Sequence, residues 1–318
     1  MLKTYLEFEK PIKEFDEKIV ELKTSDNPSL SNAEDIAKLE NKREETITKI
    51  FGKLNRWQRV QLARHPERPF TLDYINAWSS DFVELHGDRH FADDPSVVTG
   101  LGTINGKSVM YIGQQKGRNT KENLYRNFGM MRPEGYRKAL RMMKLAEKFN
   151  KPVITLVDTQ GAYPGLGAEE RGQGEAIARN LFEMAKLRVP IISIVIGEGA
   201  SGGALGIGLA DRMLMLENTW YSVISPEGCA SILWRDAGKA SEAAEALRLI
   251  PNDLVEVGIC DRIVPEPHGG AHRNPQSTFD LLKSVVTEEL DAFEGKNADE
   301  FLASRIHKYD KLGAFTEA

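Results

Sequence analysis

The feature that most constrains this 318-residue chain is the segment IISIVIGEGASGGALGIGLAD, residues 191–211. Its first six residues, IISIVI, are apolar and β-branched apart from Ser193, which is typical of a buried strand. Ser201 follows among six glycines, which are Gly197, Gly199, Gly202, Gly203, Gly206 and Gly208. We therefore predict a strand over 191–196, then a glycine-rich loop and a short helix. Three different chemistries are compatible with these letters.

The first is dinucleotide binding. Gly197, Gly199 and Gly202 match the pattern G-x-G-x-x-G, and Glu217 ends the next predicted strand, where an acid would bind a ribose hydroxyl. However, the helix after the loop has room for only about two turns. Two further glycines interrupt that helix, and each disfavours it. These features weaken the interpretation.

The second is a serine hydrolase. Residues 199–203 match G-x-S-x-G, and Asp261 with His268 or His272 would complete a triad in the usual chain order. The structural alternative for Ser201 is that its hydroxyl caps the following helix. Two glycines separate the histidines and speak against a helix there, so we predict no metal site in this chain.

The third chemistry uses the backbone alone. Gly202 and Gly203 at a helix start would present free amides, with the helix dipole behind them, to a developing oxyanion. A second segment, LVDTQGAYPGLG at 156–167, also runs from a predicted strand through glycines into a helix. Its Gly161 and Ala162 would add a second turn with exposed amides. Because it explains glycines at both strand ends, this interpretation is favoured.

The first part of the chain, residues 1–56, predicts an antiparallel helical hairpin. Its apolar seams are Phe8, Ile12, Phe15, Ile19 and Leu22, then Ile36, Leu39, Ile47, Ile50 and Leu54. Residues 25–29 form a polar turn, and Ser31 with Glu34 forms a capping box. Two amphipathic helices alone cannot bury both faces, so we expect a subunit contact. The alternative is a hairpin that braces its own chain.

Residues 57–295 predict an α/β domain, and residues 296–318 a C-terminal helical tail. Asn105-Gly106 between strands at 97–104 and 108–114 predicts a β-hairpin. Further strands are predicted at 152–158, 212–217, 221–224 and 262–264, and helices at 133–149, 168–187, 241–249 and 278–293. This alternation favours a sheet covered by helices.

Composition excludes several classes. A net charge of −5 argues against a dedicated nucleic-acid binder, and no apolar run is long enough to span a membrane. The charged N-terminus predicts a cytoplasmic protein. Cys229 and Cys260 could pair, although buried thiols are favoured in a reducing compartment. Residues 116–148 hold ten lysines and arginines against three glutamates, which predicts either a surface that steers anions or a solvated helix face.

Several long motifs resemble one family. They are QKGRNTKENLYRNFGM at 115–130, RPEGYRKALR at 132–141, VDTQGAYPGLGAEERGQGEAIARN at 157–180, IGEGASGGALGIG at 196–208, YSVISPEGCASILW at 221–234 and PEPHGGAHRNP at 265–275. Together they are similar to the carboxyltransferase α subunits of bacterial acetyl-CoA carboxylases. The resemblance implies a crotonase-like (ClpP/crotonase) α/β fold of repeated ββα units, carrying the N-terminal hairpin.

The resemblance also implies the reaction. Carboxybiotin, delivered on a biotin carboxyl carrier protein, would give its carboxyl group to acetyl-CoA to form malonyl-CoA, the first committed step of fatty acid synthesis. A carboxyltransferase β subunit would complete an α2β2 assembly and carry the zinc, and biotin carboxylase would act before it. No cofactor would be bound covalently to this chain. Gly202 and Gly203 match the site facing the biotin ureido oxygen.

The sequence offers further candidate site residues besides Gly202 and Gly203. Gly161 and Ala162 form the second turn, although Gln160 replaces an expected proline and should loosen it. Candidate substrate-binding residues are Tyr163, Gly165, Lys116 and Arg118, and the acids Glu169 and Glu170 either line the biotin pocket or stabilise a helix start. Two other functions stay open: a serine hydrolase using Ser201, and an inactive scaffold that holds a catalytic partner.

Overall fold

The computed structural model describes Leu2, residues 4–24 and residues 33–313. Its strands are β1 Val83–Glu84, β2 Val97–Ile104, β3 Lys107–Gln114, β4 Val153–Thr159, β5 Ile191–Ala200, β6 Arg212–Leu216, β7 Trp220–Ser222 and β8 Arg262–Val264. Its helices are α1 Lys10–Thr24, α2 Ala33–Phe51, α3 Arg56–Ala63, α4 Thr71–Trp78, α5 Thr120–Tyr125, α6 Pro133–Lys148, α7 Leu166–Glu170, α8 Gln173–Lys186, α9 Ser201–Gly208, α10 Pro226–Trp234, α11 Ala240–Leu247, α12 Pro251–Glu256, α13 Pro275–Asp291 and α14 Ala298–Asp310. No helix within these ranges is long and apolar enough to cross a bilayer.

The strands form one mixed sheet in the order β1-β2-β3-β4-β5-β6-β8, and β7 pairs with the end of β5. β1, β2 and β3 are antiparallel, and Asn105-Gly106 closes the β2–β3 hairpin as predicted. From β3 onward every pair is parallel, with helices in the connections. This mixed α/β architecture confirms the predicted fold class.

Helices cover both faces of the sheet. Alternate residues of β5 divide between two cores, since successive side chains of a strand point to opposite faces. Ile191 and Val195 pack in the core formed with α6, α8 and α9, while Ile192, Ile194 and Ile196 pack in the core formed with α4 and α13. Burial on both faces explains why this strand has no polar alternation.

Strand β5 is longer than predicted. It continues to Ala200, all ten of its residues are buried, and α9 begins at the next residue without a loop. The predicted glycine loop is therefore wrong. Gly197 and Gly199 lie inside the strand, where they are packed closely against other segments. A Cβ at Gly197 would overlap the carboxylate of Asp158, and a Cβ at Gly199 would overlap the ring of Tyr221. Bare backbone is required there for close packing rather than for a turn.

The predicted helix over 168–187 is also interrupted. It forms α7 and α8, separated at Gly172, whose φ of +81° is left-handed. Glycine adopts this conformation without the penalty that a Cβ imposes. The break allows α7 to follow the turn after β4 while α8 packs on the sheet.

The hairpin helices α1 and α2 lie against the domain. Asp16 of α1 forms ion pairs with Arg273 and Arg43, at 2.6 and 3.3 Å, and Glu44 of α2 bonds His268. The bracing alternative is therefore observed, and the subunit contact remains a prediction. The predicted turn at 25–29 and the cap residue Ser31 lie outside the described residues.

The last helix, α14, is anchored by Arg305, which is 1% exposed. Its guanidinium bonds Asp211 at 2.6 and 2.8 Å and donates to the carbonyls of Met184, Leu187 and Val189. These contacts tie the end of the described chain to the connections around β5.

Candidate functional site

The site forms where β4 and β5 end side by side. Because these strands are parallel neighbours, the segments after them meet at one edge of the sheet. A Cβ on Gly203 in α9 would overlap the carbonyl of Gly161 and lie 2.5 Å from the amide nitrogen of Ala162. The two backbone segments therefore touch, and no larger residue fits at Gly203.

The junction between β5 and α9 is unusual at Ser201. This residue is exposed and has a φ of +58°, while Ala200 occupies the N-cap position, with no side-chain cap. The interpretation of Ser201 as the helix cap is therefore wrong. Amides in the first turn of a helix have no partner within it, and the helix dipole makes them attractive to anions. Gly202 and Gly203 supply amides of this turn.

The facing turn comes directly after β4. Gly161 has a φ of +149°, which favours glycine, and its carbonyl accepts a hydrogen bond from the Thr159 hydroxyl at 2.8 Å. The side chain of Gln160 is exposed, and its amide contacts Met130 Sδ at 3.4 Å. The amide of Ala162 donates no hydrogen bond to any part of the chain that the structure describes. Thr159 thus closes this turn where the sequence lacks the expected proline.

A cavity of about 880 Å³ opens beside the two turns. Its lining residues are Arg64, Lys116, Asn123, Phe128, Met130, Gln160, Gly161, Ala162, Tyr163, Pro164, Glu169, Gln173, Glu198, Ser201, Val223, Ile224, Ser225 and Glu227. This volume suits a small organic group. Of the predicted site residues, Lys116, Gly161, Ala162, Tyr163 and Glu169 line it. Gly202, Gly203, Gly165, Arg118 and Glu170 do not.

Gly165 and Arg118, which do not line the cavity, have other evident roles. Gly165 makes room for Tyr163, since a Cβ at Gly165 would overlap the tyrosine ring, and that ring also stacks with Arg132 at 4.7 Å. Arg118 points elsewhere: it lies 4.0 Å over the ring of Phe70 and pairs with Asp73. Arg118 therefore stabilises the fold beside the site and does not face the cavity.

A buried ion-pair network forms one wall of the cavity. Lys116 Nζ lies 2.7 Å from carboxylate oxygens of both Asp158 and Glu198. Glu198 also pairs with Arg64 at 2.6 Å, and Arg64 in turn bonds Glu227. Since each cation has two acidic partners, neither is left free to neutralise a bound anion. Lys116 therefore organises the wall of the site.

Burial and pairing set the ionisation of this network. Burial lowers the pKa of Lys116, but the two neighbouring carboxylates outweigh it and the pKa is raised. Burial raises the pKa of Glu198, yet Lys116 and Arg64 together hold it below its ordinary value. For Asp158, burial dominates and the pKa is raised. The charged form is therefore favoured at Lys116 and Glu198 and disfavoured at Asp158.

The two alternative chemistries, a serine hydrolase and dinucleotide binding, lack the geometry that they require. His268 bonds Glu44 at 2.8 Å, His272 bonds Glu9 at 2.9 Å, and Asp261 accepts from the amide of Met213, so these three side chains serve separate structural contacts. None of the described residues that line the cavity is a histidine. The hydrolase triad is thus not assembled around Ser201. The dinucleotide loop is absent too, because its first two glycines are strand residues.

Glu9, His65 and His272 form a separate buried cluster of potential metal ligands. His65 Nδ1 accepts a hydrogen bond from the Glu67 amide at 3.1 Å, so in the neutral ring Nε2 carries the proton. His65 Nε2 accordingly lies 3.3 Å from the carbonyl of Thr4. A metal needs an unprotonated nitrogen. The cluster is therefore a hydrogen-bonded anchor for the N-terminal segment.

Five of the ten basic residues in the stretch 116–148 pair with acids, and they are Lys116, Arg118, Arg137, Lys138 and Lys144. Lys138 is buried and bonds Asp93 and the carbonyl of Asp94, and Arg137 pairs with Asp88. These contacts hold the 86–94 segment on α6. The anion-steering surface and the solvated helix face both remain predictions for this stretch. Cys229 and Cys260 are both buried and unpaired, as favoured.

Sequence reasoning missed Arg64, Phe128, Met130, Glu198 and Glu227. One signal was available, because Glu198 stands between two glycines and is the charged residue of a buried strand, where a charge needs a buried partner. The others lie on helices and turns that the topology brings to this sheet edge. No local pattern in the sequence identifies them.

Solved structures with this fold support its class. A Pseudomonas malonate decarboxylase hetero-tetramer in complex with coenzyme A matches with a TM-score of 0.57 and 17% identity, over 76% of this chain and 93% of that one. The transcarboxylase 12S structure matches with a TM-score of 0.54 and 21% identity, over 67% of this chain and 41% of that one. The chain therefore shares the fold of these two structures.

Sequence comparison is more specific. Residues 5–313 match the family model "Acetyl co-enzyme A carboxylase carboxyltransferase-like". The acetyl-coenzyme A carboxylase carboxyl transferase subunit alpha of Chlorobium phaeobacteroides is 56% identical over 99% of this chain and 98% of its own length. The subunit of the same name from Flavobacterium johnsoniae is 55% identical over 98% and 99%. The chain belongs to this family of carboxyltransferase alpha subunits.

Proposed function

We propose that this chain forms the half of the carboxyltransferase site that receives carboxybiotin, so that acetyl-CoA is converted to malonyl-CoA. The observation that carries the proposal is the contact between Gly203 and the turn of Gly161 and Ala162 at the edge of the cavity. This contact brings the amides of α9 and the unpaired Ala162 amide to one place. Such a pair of backbone elements suits an oxygen on which negative charge develops.

The chain's own groups would act by electrostatics and position. Biotin supplies the carboxyl group on a ureido nitrogen, and negative charge grows on the ureido oxygen as that group leaves. The amides of Gly202 and Gly203 would donate hydrogen bonds to this oxygen, with support from the α9 dipole. Removal of one such donor typically costs about a hundredfold to a thousandfold in rate. This chemistry requires no side-chain nucleophile, so Ser201 needs no histidine beside it.

The cavity fits a biotin head group. Its volume is about 880 Å³, and its walls include the apolar side chains of Phe128, Met130 and Ile224 beside the amide turn. A ring system with one polar edge needs this combination of apolar walls and aligned donors. Tyr163 and Glu169 would complete the wall near the second turn.

The surroundings of the cavity favour partner proteins. Large apolar side chains are exposed beside its lining segments, and they are Leu124, Tyr125, Leu166, Val223, Ile232 and Leu233. Exposed apolar groups close to a site are typical of interaction surfaces. We therefore assign this face to a zinc-containing β subunit in an α2β2 assembly that binds acetyl-CoA. The biotin carboxyl carrier protein, charged by biotin carboxylase, would reach the same cavity in the cytoplasm.

The test reconstitutes the chain with its β subunit and measures malonyl-CoA formation from carboxybiotin and acetyl-CoA. Gly203→Ala should lower kcat at least about a hundredfold, because the added methyl displaces the facing turn. Gly174→Ala in α8 is the matched control, since a Cβ there meets nothing within 4 Å. Ser201→Ala should lower kcat by less than about tenfold, since only its backbone is needed.

Three results would contradict the proposal. Near-normal transfer by Gly203→Ala would exclude the oxyanion role. Loss of activity in Ser201→Ala, with an intact assembly by size-exclusion chromatography, would favour a serine nucleophile. Full activity of the β subunit alone would show that this chain is a scaffold.

A further inference from the structure

A strained turn lies at the mouth of the cavity. Asn127, Phe128 and Gly129 are consecutive residues with φ values of +46°, +55° and +78°, just after α5. Asparagine and glycine tolerate the left-handed region, but for a bulky aromatic residue it is unfavourable. Of the three, Phe128 therefore bears the greatest conformational strain.

The surrounding structure enforces this turn. Asn127 is buried, and its side-chain oxygen accepts a hydrogen bond from Arg132 at 3.1 Å. A Cβ on Gly129 would lie 2.9 Å from the carbonyl of Asp158 and 3.2 Å from Lys116 Cγ, so this glycine is wedged against the end of β4. The turn is thus fixed from both sides, and Phe128 has no freedom to relax.

The outcome of the strain is an exposed ring in the cavity wall. Phe128 is 41% exposed although it is aromatic, and it lines the cavity together with Met130 and Ile224. It belongs to neither of the two sheet-flanking cores. Strain without a packing benefit is found where a side chain must be presented to a ligand.

We propose that Phe128 is a positioning residue whose ring packs against the fused rings of biotin and holds the ureido oxygen at the amides. This inference rests on the proposed function and adds a determinant of biotin recognition to it. Aromatic faces bind flat or sulfur-containing apolar groups well, and biotin presents both. The acyl-CoA would not contact this ring.

The experiment uses the complete α–β assembly in the reverse direction, with biocytin as soluble carboxyl acceptor and malonyl-CoA as donor, and follows release of acetyl-CoA. Phe128→Asn keeps a residue that tolerates the left-handed turn but removes the ring. Its KM for biocytin should rise about tenfold, with the KM for malonyl-CoA unchanged. Its Tm should stay equal or rise, since the strain is relieved.

Two further variants separate positioning from stability. Phe128→Tyr keeps the ring and should restore the wild-type KM for biocytin. Phe149→Asn removes an exposed ring outside the cavity lining and should change neither KM. A KM for biocytin within about twofold of wild type in Phe128→Asn, or a lowered Tm with both KM values altered, would overturn the inference. An inactive wild-type assembly would overturn the proposed function itself.

Discussion

The buried cluster of Glu9, His65 and His272 predicts a measurable pH dependence of stability. His65 and His272 stack with their ring centroids 4.0 Å apart, and both are inaccessible beside the carboxylate of Glu9. Burial lowers the pKa of His65 from 6.5 to about 4, and charge repulsion from His272 adds to this. The folded state therefore binds a proton at His65 less readily than the unfolded state.

The sign and size are set by proton linkage. Between the two pKa values the unfolded chain holds more protons, so acidification destabilises the fold from about pH 6.5 downward and levels off below about pH 4. From these pKa values, His65 alone should remove about 2 kcal/mol of unfolding free energy between pH 7 and pH 5. Burial raises the pKa of Glu9, but the hydrogen bonds from His272 and the Leu6 amide, together with the charges of His272 and His65, outweigh it and the pKa is lowered. Glu9 thus stays ionised in this window.

The assay is urea unfolding at pH 7 and pH 5, in wild type and in His65→Asn. The variant will be less stable overall, but only its change between the two pH values is compared, and that change should be about 2 kcal/mol smaller than in wild type. His307→Asn removes an exposed histidine of α14 and should retain the wild-type change. Equal pH dependence in wild type and His65→Asn would refute the assignment of a buried, neutral His65.

Two further predictions concern buried charges. Lys116→Met should lower the free energy of unfolding in urea by about 3–5 kcal/mol, because it leaves Asp158 and Glu198 buried without this cation. The control Lys121→Met, at an exposed position, should lower it by less than about 0.5 kcal/mol. Equal losses in the two variants would contradict the ion-pair network. Arg305→Met should lower the free energy of unfolding by a similar amount and make residues 292–297 sensitive to limited proteolysis, since α14 loses its anchor. The control Ile306→Ala, on the exposed face of α14, should do neither. Protease resistance in Arg305→Met would exclude the anchoring role.

Much of the fold can be predicted from local sequence signals. Asn105-Gly106 predicts its hairpin and the apolar run at 153–157 its strand, because turn chemistry and burial are local properties. The extension of β5 is different. Gly197 and Gly199 resemble loop residues, and only their contacts with Asp158 and Tyr221 make them strand residues. Such contacts depend on segments distant in sequence.

The candidate site, like the fold, has parts that local sequence predicts and parts that it does not. The turn after β4 could be predicted from its glycines, whereas the loop predicted after residue 196 is wrong because α9 follows β5 directly. Phe128 and Arg64 could not, since the strain of one and the ion pairs of the other exist only after folding. Arg118 remains a predicted substrate-binding residue, since it lies in one of the family motifs, but it pairs with Asp73 and does not line the cavity.

The direct passage from β5 into α9 has a consequence for how this site can vary. A loop can absorb an added residue, but here one inserted residue would move every later side chain of β5 to the opposite face of the sheet. An insertion within α9 would instead rotate the later residues of that helix by about 100°, since the helix has about 3.6 residues per turn. Length changes at this junction would therefore destroy the amide alignment, and divergence among relatives should be confined to substitutions there.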